Sequence, residues 1–378
     1  MSSTSELSSF AARLSRFIRA STSVPAAAIP PFDQFAFELF TLQFEHNAAY
    51  RRLCEARGAR PGTVKHRSEI PAVPTSAFKE WELSCLPVAE RTTTFHSSGT
   101  TGQQPSRHFH NAESLALYEA SLWAWFEAHF RMANGKWQMA ILTPLPEQAP
   151  HSSLVHMFET IRRRLGASAS SFVGRAEEDG AWAVDLQAAV ELLRTASAAR
   201  EPLLLLGTAF SFVHLLDHLA ERDLRFELAP GSCALETGGY KGRSRSLPKA
   251  ELHTLISQRL GISSGHVICE YGMSELSSQA YDSALVASRF THHVSRHTHH
   301  ASRSFHFPPW ARVQIVSPET GLDVGDGETG LIRVFDLANV YSVMAVQTED
   351  LGIRHGDGFA LAGRAVLAEP RGCSLMVV

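Results

Sequence analysis

The chain has 378 residues, 44% of them apolar and 19% charged, with a formal net charge of −3. That supplies a sizeable core and material for two or three subdomains, and it excludes an intrinsically disordered chain. The near-neutral balance gives no electrostatic case for nucleic acid or an anionic membrane as partner, and the longest apolar stretch, LLLLGTAFSFVHLL at 203–216, is too short to span a bilayer.

At the N-terminus, Leu7, Phe10, Leu14, Phe17 and Ile18 recur at helical spacing, which predicts an amphipathic helix docked on the body. The same Ser- and Arg-rich stretch resembles an organelle transit peptide; the docked helix is preferred because AAAIPPF then reads as an ordinary linker. Residues 32–57 read as one long helix, with Phe32, Phe35, Leu39 and Phe40 on its apolar stripe and Gly58 stopping it. Four prolines between 61 and 90 predict an irregular stretch. Residues 112–130 predict a helix. From 137 onward short apolar runs alternate with helical patterns: strand at WQMAILTPL, helix at 151–165, strand at PLLLLG, helix at 209–222, strand at CALETGG, helix at 247–260, strand at HVICEYG. This alternation predicts an α/β sheet with crossover helices. Beyond 310, ARVQIV and LIRVFDL read as a hairpin and VYSVMAV as a further strand. The stretch 290–307 holds six histidines at spacings that match no zinc pattern, and reads as an exposed loop. Five scattered cysteines, with no CxxC, fit a reducing, cytoplasmic setting better than a disulfide framework.

Three stretches carry chemistry. HSSGTTGQQPSR (96–107) packs two glycines among four hydroxyls at Ser97, Ser98, Gly99, Thr100, Thr101 and Gly102. Such a run turns backbone N–H groups toward an anion, and a helix soon after adds its dipole. The lysine of a nucleotide loop is missing, so the charge must come from elsewhere. CEYGMSELS (269–277) ends a strand in Tyr271, Gly272, Ser274 and Glu275, and the C-terminal end of a strand in an α/β sheet faces the ligand crevice. There Tyr271 offers a ring or a hydroxyl, Ser274 a phosphate donor and Glu275 a magnesium ligand. In QTEDLG (347–352), Asp350 is a candidate acceptor for two sugar hydroxyls, with Arg364 following in the Gly-Arg pair.

In this order the pieces resemble the acyl-adenylate-forming superfamily, with Ser274 where Thr is usual and Glu349 where Gly is usual. The closer resemblance is to the LuxE-like acyl-protein synthetase family. It is carried by IPAVPTSAFK, SSGTTGQQPSRH, ETGGYKGRSR, EYGMSELSSQAYD, VQTEDLG and EPRGCSL, which span about four-fifths of the chain. The resemblance implies an α/β fold of the superfamily's N-terminal-domain type, with mixed sheets, crossover helices and a smaller β-rich C-terminal part. The usual large C-terminal lid domain is expected to be absent, since the chain ends at Val378. Expected divisions are an N-terminal helical region packing on the core (1–90), an α/β nucleotide-binding core (91–285) and a β-rich part with an acyl-acceptor tail (308–378).

The implied reaction joins ATP, with Mg²⁺ on Glu275, to a carboxylic acid of fatty-acyl type, and passes the acyl group to a thiol. Gly238 and Gly239 join the nucleotide-binding set. Arg107 stands where the large ligases place lysine; Lys241 or Arg243 substitutes for the catalytic lysine of the missing lid. Cys373 is the implied acyl acceptor, with Arg371 nearby to hold a thiolate. An acyl-accepting reductase or carrier protein is the implied partner. Two other readings stay open: a ligase that hands the acyl group to coenzyme A or a carrier thiol, and a nucleotide-binding scaffold without turnover. Cys269, beside Tyr271, reads as core filling.

Overall fold

In a computed structural model, described here for residues 3–21, 32–97, 104–130, 137–168, 171–178, 180–240, 244–282 and 303–365, two five-stranded sheets organise the chain. The N-terminal part holds helices α1 (Ser3–Ser21), α2 (Phe32–His46) and α3 (Ala48–Ala56), strand β1 (Val73–Pro74) and the single turn α4 (Ala77–Glu80). Leu7, Phe10, Leu14, Phe17 and Ile18 are all buried, so the first helix docks through the stripe its spacing predicts. The long helix expected over 32–57 is two. Asn47 interrupts it in an extended conformation and caps α3 by accepting from the Tyr50 N–H, while its side-chain amide donates to the Ser342 carbonyl.

The hairpin of β2 (Thr93–His96) and β3 (Arg107–His110) comes next, followed by α5 (Ala112–His129). Strand β4 (Gln138–Ile141), α6 (Ser153–Leu165), the small pair β5 (Gly174–Ala176) and β6 (Trp182–Val184), and α7 (Leu186–Ala199) lead into β7 (Leu203–Thr208), α8 (Ala209–Glu221), β8 (Cys233–Thr237), α9 (Lys249–Leu260) and β9 (Val267–Tyr271). Short β10 (Ala280–Tyr281) turns back antiparallel on β9, and the sheet order is β10-β9-β8-β7-β4, with the last four parallel. Period-two alternation splits each strand between two cores. Leu204, Leu206, Leu235 and Ile268 pack on the side of α1 and α5; Leu203, Leu205, Ala234 and Val267 pack on the side of α7, α8 and α9. A parallel sheet covered on both faces explains why these strands read as continuous apolar runs.

The second sheet is an antiparallel run of β11 (Ala311–Val316), β12 (Thr329–Asp336), β13 (Ala345–His355) and β14 (Gly358–Arg364), with β1 added parallel to β13. The strand expected over 340–346 begins only at Ala345. Residues 336–344 instead turn, held by Asp336, Asn339 and the Gln43 side chain of α2, which donates to the Asn339 carbonyl and accepts from the Met344 N–H. The histidine-rich stretch is also corrected at its end. Phe305 is buried and bridges to Phe359, and His306 bridges to Tyr281; residues 290–302 lie outside the described residues. Among the described residues no helix is long and apolar enough to cross a membrane.

Candidate active site

Parallel strands β8 and β9 end side by side, and their C-terminal ends carry Gly238–Gly239 and Tyr271–Glu275. This is the edge at which an α/β sheet opens its ligand crevice. The turn after β9 is fixed from the second sheet. Asp336 accepts from the Ser277 N–H at 2.8 Å and the Ser278 hydroxyl at 2.7 Å, and the Asn339 amide donates to the Glu275 carbonyl at 2.9 Å. Burial raises the Asp336 pKa to about 6 against those donors.

Tyr271 points toward the second sheet. Its hydroxyl donates to Asp350 Oδ2 at 2.9 Å, and its ring lies among Phe305, Phe307 and Phe359. Arg364 Nε donates to Asp350 Oδ1 at 3.1 Å from a guanidinium that is 77% exposed. The three residues predicted from separate motifs therefore form one chain, Tyr271–Asp350–Arg364, across the two sheets. Each Asp350 oxygen already has a donor, and the exposed Arg364 is the partner that a sugar hydroxyl could replace at little cost.

The hairpin meets the same turn from the other side. Ser97 Oγ accepts from the Ser106 N–H at 2.9 Å and the Ser97 N–H donates to the Ser106 carbonyl, which closes the base of the hairpin. The Ser106 and Ser274 hydroxyls lie 3.3 Å apart, and Ser274 Oγ donates to Glu275 Oε2 at 3.0 Å. His108 donates Nδ1–H to the Ser274 carbonyl at 2.7 Å; burial holds its pKa down at about 4, so the ring is neutral. Glu275 is buried, and that burial raises its carboxyl pKa against the pull of the Ser106 and Ser274 hydroxyls, its own N–H and the Lys79 charge. Lys79 and His108 were not singled out from sequence; Lys79 lies in the quoted IPAVPTSAFK, and that motif was the available signal.

A lone buried carboxylate beside two hydroxyls fits Mg²⁺, which keeps several waters and is commonly shared between one or two carboxylates and substrate phosphates. Among the described residues, three potential ligand atoms of His, Cys, Asp or Glu converge only at Glu6, Glu45 and His46, on α1 and α2.

Glu270 and Thr237 occupy the opposite face of the same strand ends. The Thr237 hydroxyl donates to Glu270 Oε2 in a short contact, and a Cβ on Gly272 would come within 2.2 Å of Glu270 Oε1. Gly272 is thus required by close approach of a side chain, while Gly238 supplies a positive φ of 68° at the end of β8. Burial pushes the Glu270 pKa up to about 7, helped by the charge of Glu236.

The two basic segments differ. Arg107 is part-buried at the start of β3, 4.0 Å from Glu82, with its Nε lacking a partner among the described residues. In GYKGRSR, Arg245 is held by Asp217 at 2.8 Å, whereas Lys241 and Arg243 lie outside the described residues. So do Ser98, Gly99, Thr100, Thr101 and Gly102, and Arg371 and Cys373. Cys269 is buried and its thiol is pushed up by burial, as expected of core filling.

Known proteins resemble this chain in sequence and in fold. The chain is 23% identical over 328 residues to the long-chain-fatty-acid–luciferin-component ligase of Aliivibrio fischeri, covering 85% of this chain and 78% of that protein. Its fold matches 2-hydroxyisobutyryl-CoA ligase in the postadenylation state with 2-hydroxyisobutyryl-AMP, with a TM-score of 0.64 and 14% identity over 92% of this chain and 70% of that one. It also matches the same ligase in the thioesterification state with coenzyme A, with a TM-score of 0.63 and 16% identity over 89% of this chain and 65% of that one. The acyl-protein synthetase (LuxE) family matches residues 28–378, nearly the whole chain. The chain belongs to that family and is an acyl-adenylate-forming, AMP-producing acid–thiol ligase.

Proposed function

We propose that this chain activates a fatty acid with ATP and transfers the acyl group to its own Cys373. The observation that carries the reading is the convergence on one strand end of Tyr271–Asp350–Arg364 and Ser97–Ser106–Ser274–Glu275. One set suits a ribose, the other a phosphate chain with its metal. In the first half-reaction a carboxylate oxygen attacks the α-phosphorus, the bond from that phosphorus to the bridging oxygen breaks, and pyrophosphate leaves. In the second, the Cys373 thiolate attacks the acyl carbonyl, the carbon–oxygen bond to AMP breaks, and the thiol proton goes to solvent.

The protein's part is alignment and charge placement. Asp350 orients the sugar, and Ser106 and Ser274 present hydroxyls beside Glu275. Mg²⁺ held by Glu275 would offset charge on the phosphates. Arg107 supplies a planar, permanently charged fork in place of the lysine. Lys241 is assigned the charge near the reacting phosphate, and Ser97, Ser98, Gly99, Thr100, Thr101, Gly102, Gly238 and Gly239 the nucleotide-binding backbone and hydroxyls. The acyl group is then handed to a reductase or carrier protein. A fatty acid is the substrate class of the Aliivibrio fischeri relative, and its name supports that choice.

Screening ATP–pyrophosphate exchange against acids of graded chain length tests the first half. Acid plus ATP should then load one acyl group on the chain, seen by intact mass and released by hydroxylamine. Cys373→Ser should abolish loading and keep exchange, because adenylation needs no thiol. Transfer to coenzyme A at full rate with no loaded protein would make the chain an acyl-CoA ligase instead. Absence of exchange with every acid would leave only a nucleotide-binding scaffold.

A further inference from the structure

The hairpin that leads into and out of the SSGTTG segment has two unlike faces. Phe95, His108 and His110 pack inward against α5 and each other. His96 and Arg107 are paired across the strands, so they share the outer face with Thr94 and Phe109. The His151 ring stacks on the His96 ring at 4.5 Å and 19°, and His151 is held there by backbone bonds: the His96 N–H donates to the His151 carbonyl, and His151 Nδ1 donates to the Thr94 carbonyl. Among the described residues no hydrogen bond reaches the His96 ring nitrogens.

Among the described residues, two arginines and one acid are seen on this face. Arg91 lies over Phe109 at 4.3 Å and Arg107 at 5.8 Å. Glu82 is the acid between them, and it sits 2.8 Å from Arg91 but only 4.0 Å from Arg107. Desolvation first, then His151 and Arg107, hold the His96 pKa below its usual range. With Glu82 committed to Arg91, Arg107 is left 4.0 Å from the nearest acid and beside the His96 ring, an arrangement that an anion would compensate.

We propose that His96, His151 and Arg107 form a proton-coupled site for the pyrophosphate leaving group. This rests on the adenylation reading above, which already uses Arg107, and adds His96 and His151 to it. Arg107 provides a charge at every pH, and the His96 imidazole, held by its stack on His151, takes up a charge when an anion is present to stabilise it. Binding of pyrophosphate draws a proton from solvent onto a ring nitrogen; departure of pyrophosphate returns it. The site therefore holds pyrophosphate more tightly as pH falls and releases it more readily as pH rises, which favours the forward half-reaction on the alkaline side.

The probe is inorganic pyrophosphate on the full chain. Calorimetry in buffers of different ionisation enthalpy should show net proton uptake, and the His96 ring resonance, assigned with His96→Asn, should titrate at higher pH once pyrophosphate is bound. His96→Asn and His151→Asn should each raise the KM for pyrophosphate in exchange by about 10-fold at pH 6.5, the loss expected of a charge-assisted bond, and by much less at pH 8.5. Unchanged KM values with acid-dependent exchange intact would overturn the site and leave adenylation standing. Pyrophosphate binding with proton uptake, but no exchange with any acid, would support the site and sink the adenylation reading. Loss of binding in Arg107→Ala alone, with both histidine variants unaffected, would overturn the proton-coupled site in favour of a simple arginine contact.

Discussion

The outer face of the β2–β3 hairpin and the buried acids at the β8–β9 strand ends handle charge in opposite ways. On the hairpin, Arg91, Arg107, His96 and His151 gather at a part-exposed surface with one acid. At the strand ends and on β12, Glu236, Glu270 and Asp336 are each buried, and burial raises the pKa of Glu270 and of Asp336. The hairpin keeps its charge where an incoming anion can compensate it. The interior lowers its own cost by favouring the proton-bearing form and by supplying hydroxyl and N–H donors. Glu275 lies at the boundary: it is as buried as the interior acids, yet it borders Ser106 of the hairpin. A carboxylate so placed becomes fully charged when a cation arrives, which is what a metal ligand requires.

The sharpest way to break that contrast is Glu275→Gln. The amide keeps the shape and a partner for Ser274 but can neither ionise nor hold a divalent cation well. Acid-dependent pyrophosphate exchange should fall by ~10²-fold or more, with the thermal transition little changed. Near-normal exchange would place the metal elsewhere. Next in size is Arg107→Ala, which should weaken ATP use by about 10- to 100-fold, the range for a lost charged bond, with Arg107→Lys restoring only part because the fork is gone. If ATP use were unaffected, the charge would have to come from the GYKGRSR segment.

Much of this contrast was legible in the sequence, for a physical reason. Phosphate loops, strand-end turns and Thr/Glu/Asp runs are short and polar, and they interrupt an otherwise apolar α/β rhythm; Tyr271, Glu275, Asp350 and Arg364 stood out on that ground and do come together. The rhythm itself located the parallel strands, because both of their faces are covered and their apolar runs are continuous. What escaped was decided by tertiary partners. The break at Asn47 depends on Ser342, nearly three hundred residues away. The turn at 336–344 depends on Gln43 of α2, which satisfies backbone groups that a strand would have paired within a sheet. Glu236 and Glu270 lie inside strand patterns, where a single acid looks like an exception; only the fold shows their partners, His253 of α9 for Glu236 and Thr237 for Glu270. His96 and His151 are 55 residues apart and meet only because the hairpin packs on the start of α6.

The interior side can be probed sterically. Gly272→Ala would drive a Cβ toward Glu270 Oε1, on a buried carboxylate whose other oxygen, Oε2, accepts from Thr237. The expected cost is about 1–2 kcal/mol of stability by denaturant unfolding, in the range for overpacking a tight site. In a double-mutant cycle, Glu270→Ala should relieve part of that cost, because it removes the clashing atom. Strict additivity would show that the two residues do not press on each other.

The smallest expected effect is a slope. Glu270 has a folded pKa of about 7, above the usual carboxylate value, so the folded chain holds a proton that the unfolded chain releases. Its contribution to stability is fully present below the unfolded pKa of about 4.3 and is lost as pH rises through 7. The buried histidines pull the other way. His108 and His129 sit near 4 and His110 is also lowered, so the unfolded chain binds protons that these residues refuse, and stability from them is lost as pH falls from about 6.5 toward 4. A raw stability–pH curve therefore mixes two opposed trends. Glu270→Gln separates them, since glutamine can still accept from Thr237 but cannot titrate. The variant's stability relative to the parent should climb between pH 4.5 and 7, by no more than about 1.4 kcal/mol per pH unit, and level off above that. The histidine trend below pH 6 should survive in both proteins. A flat difference curve would mean that Glu270 is ionised throughout, and the interior would then be storing charge in the same way as the hairpin.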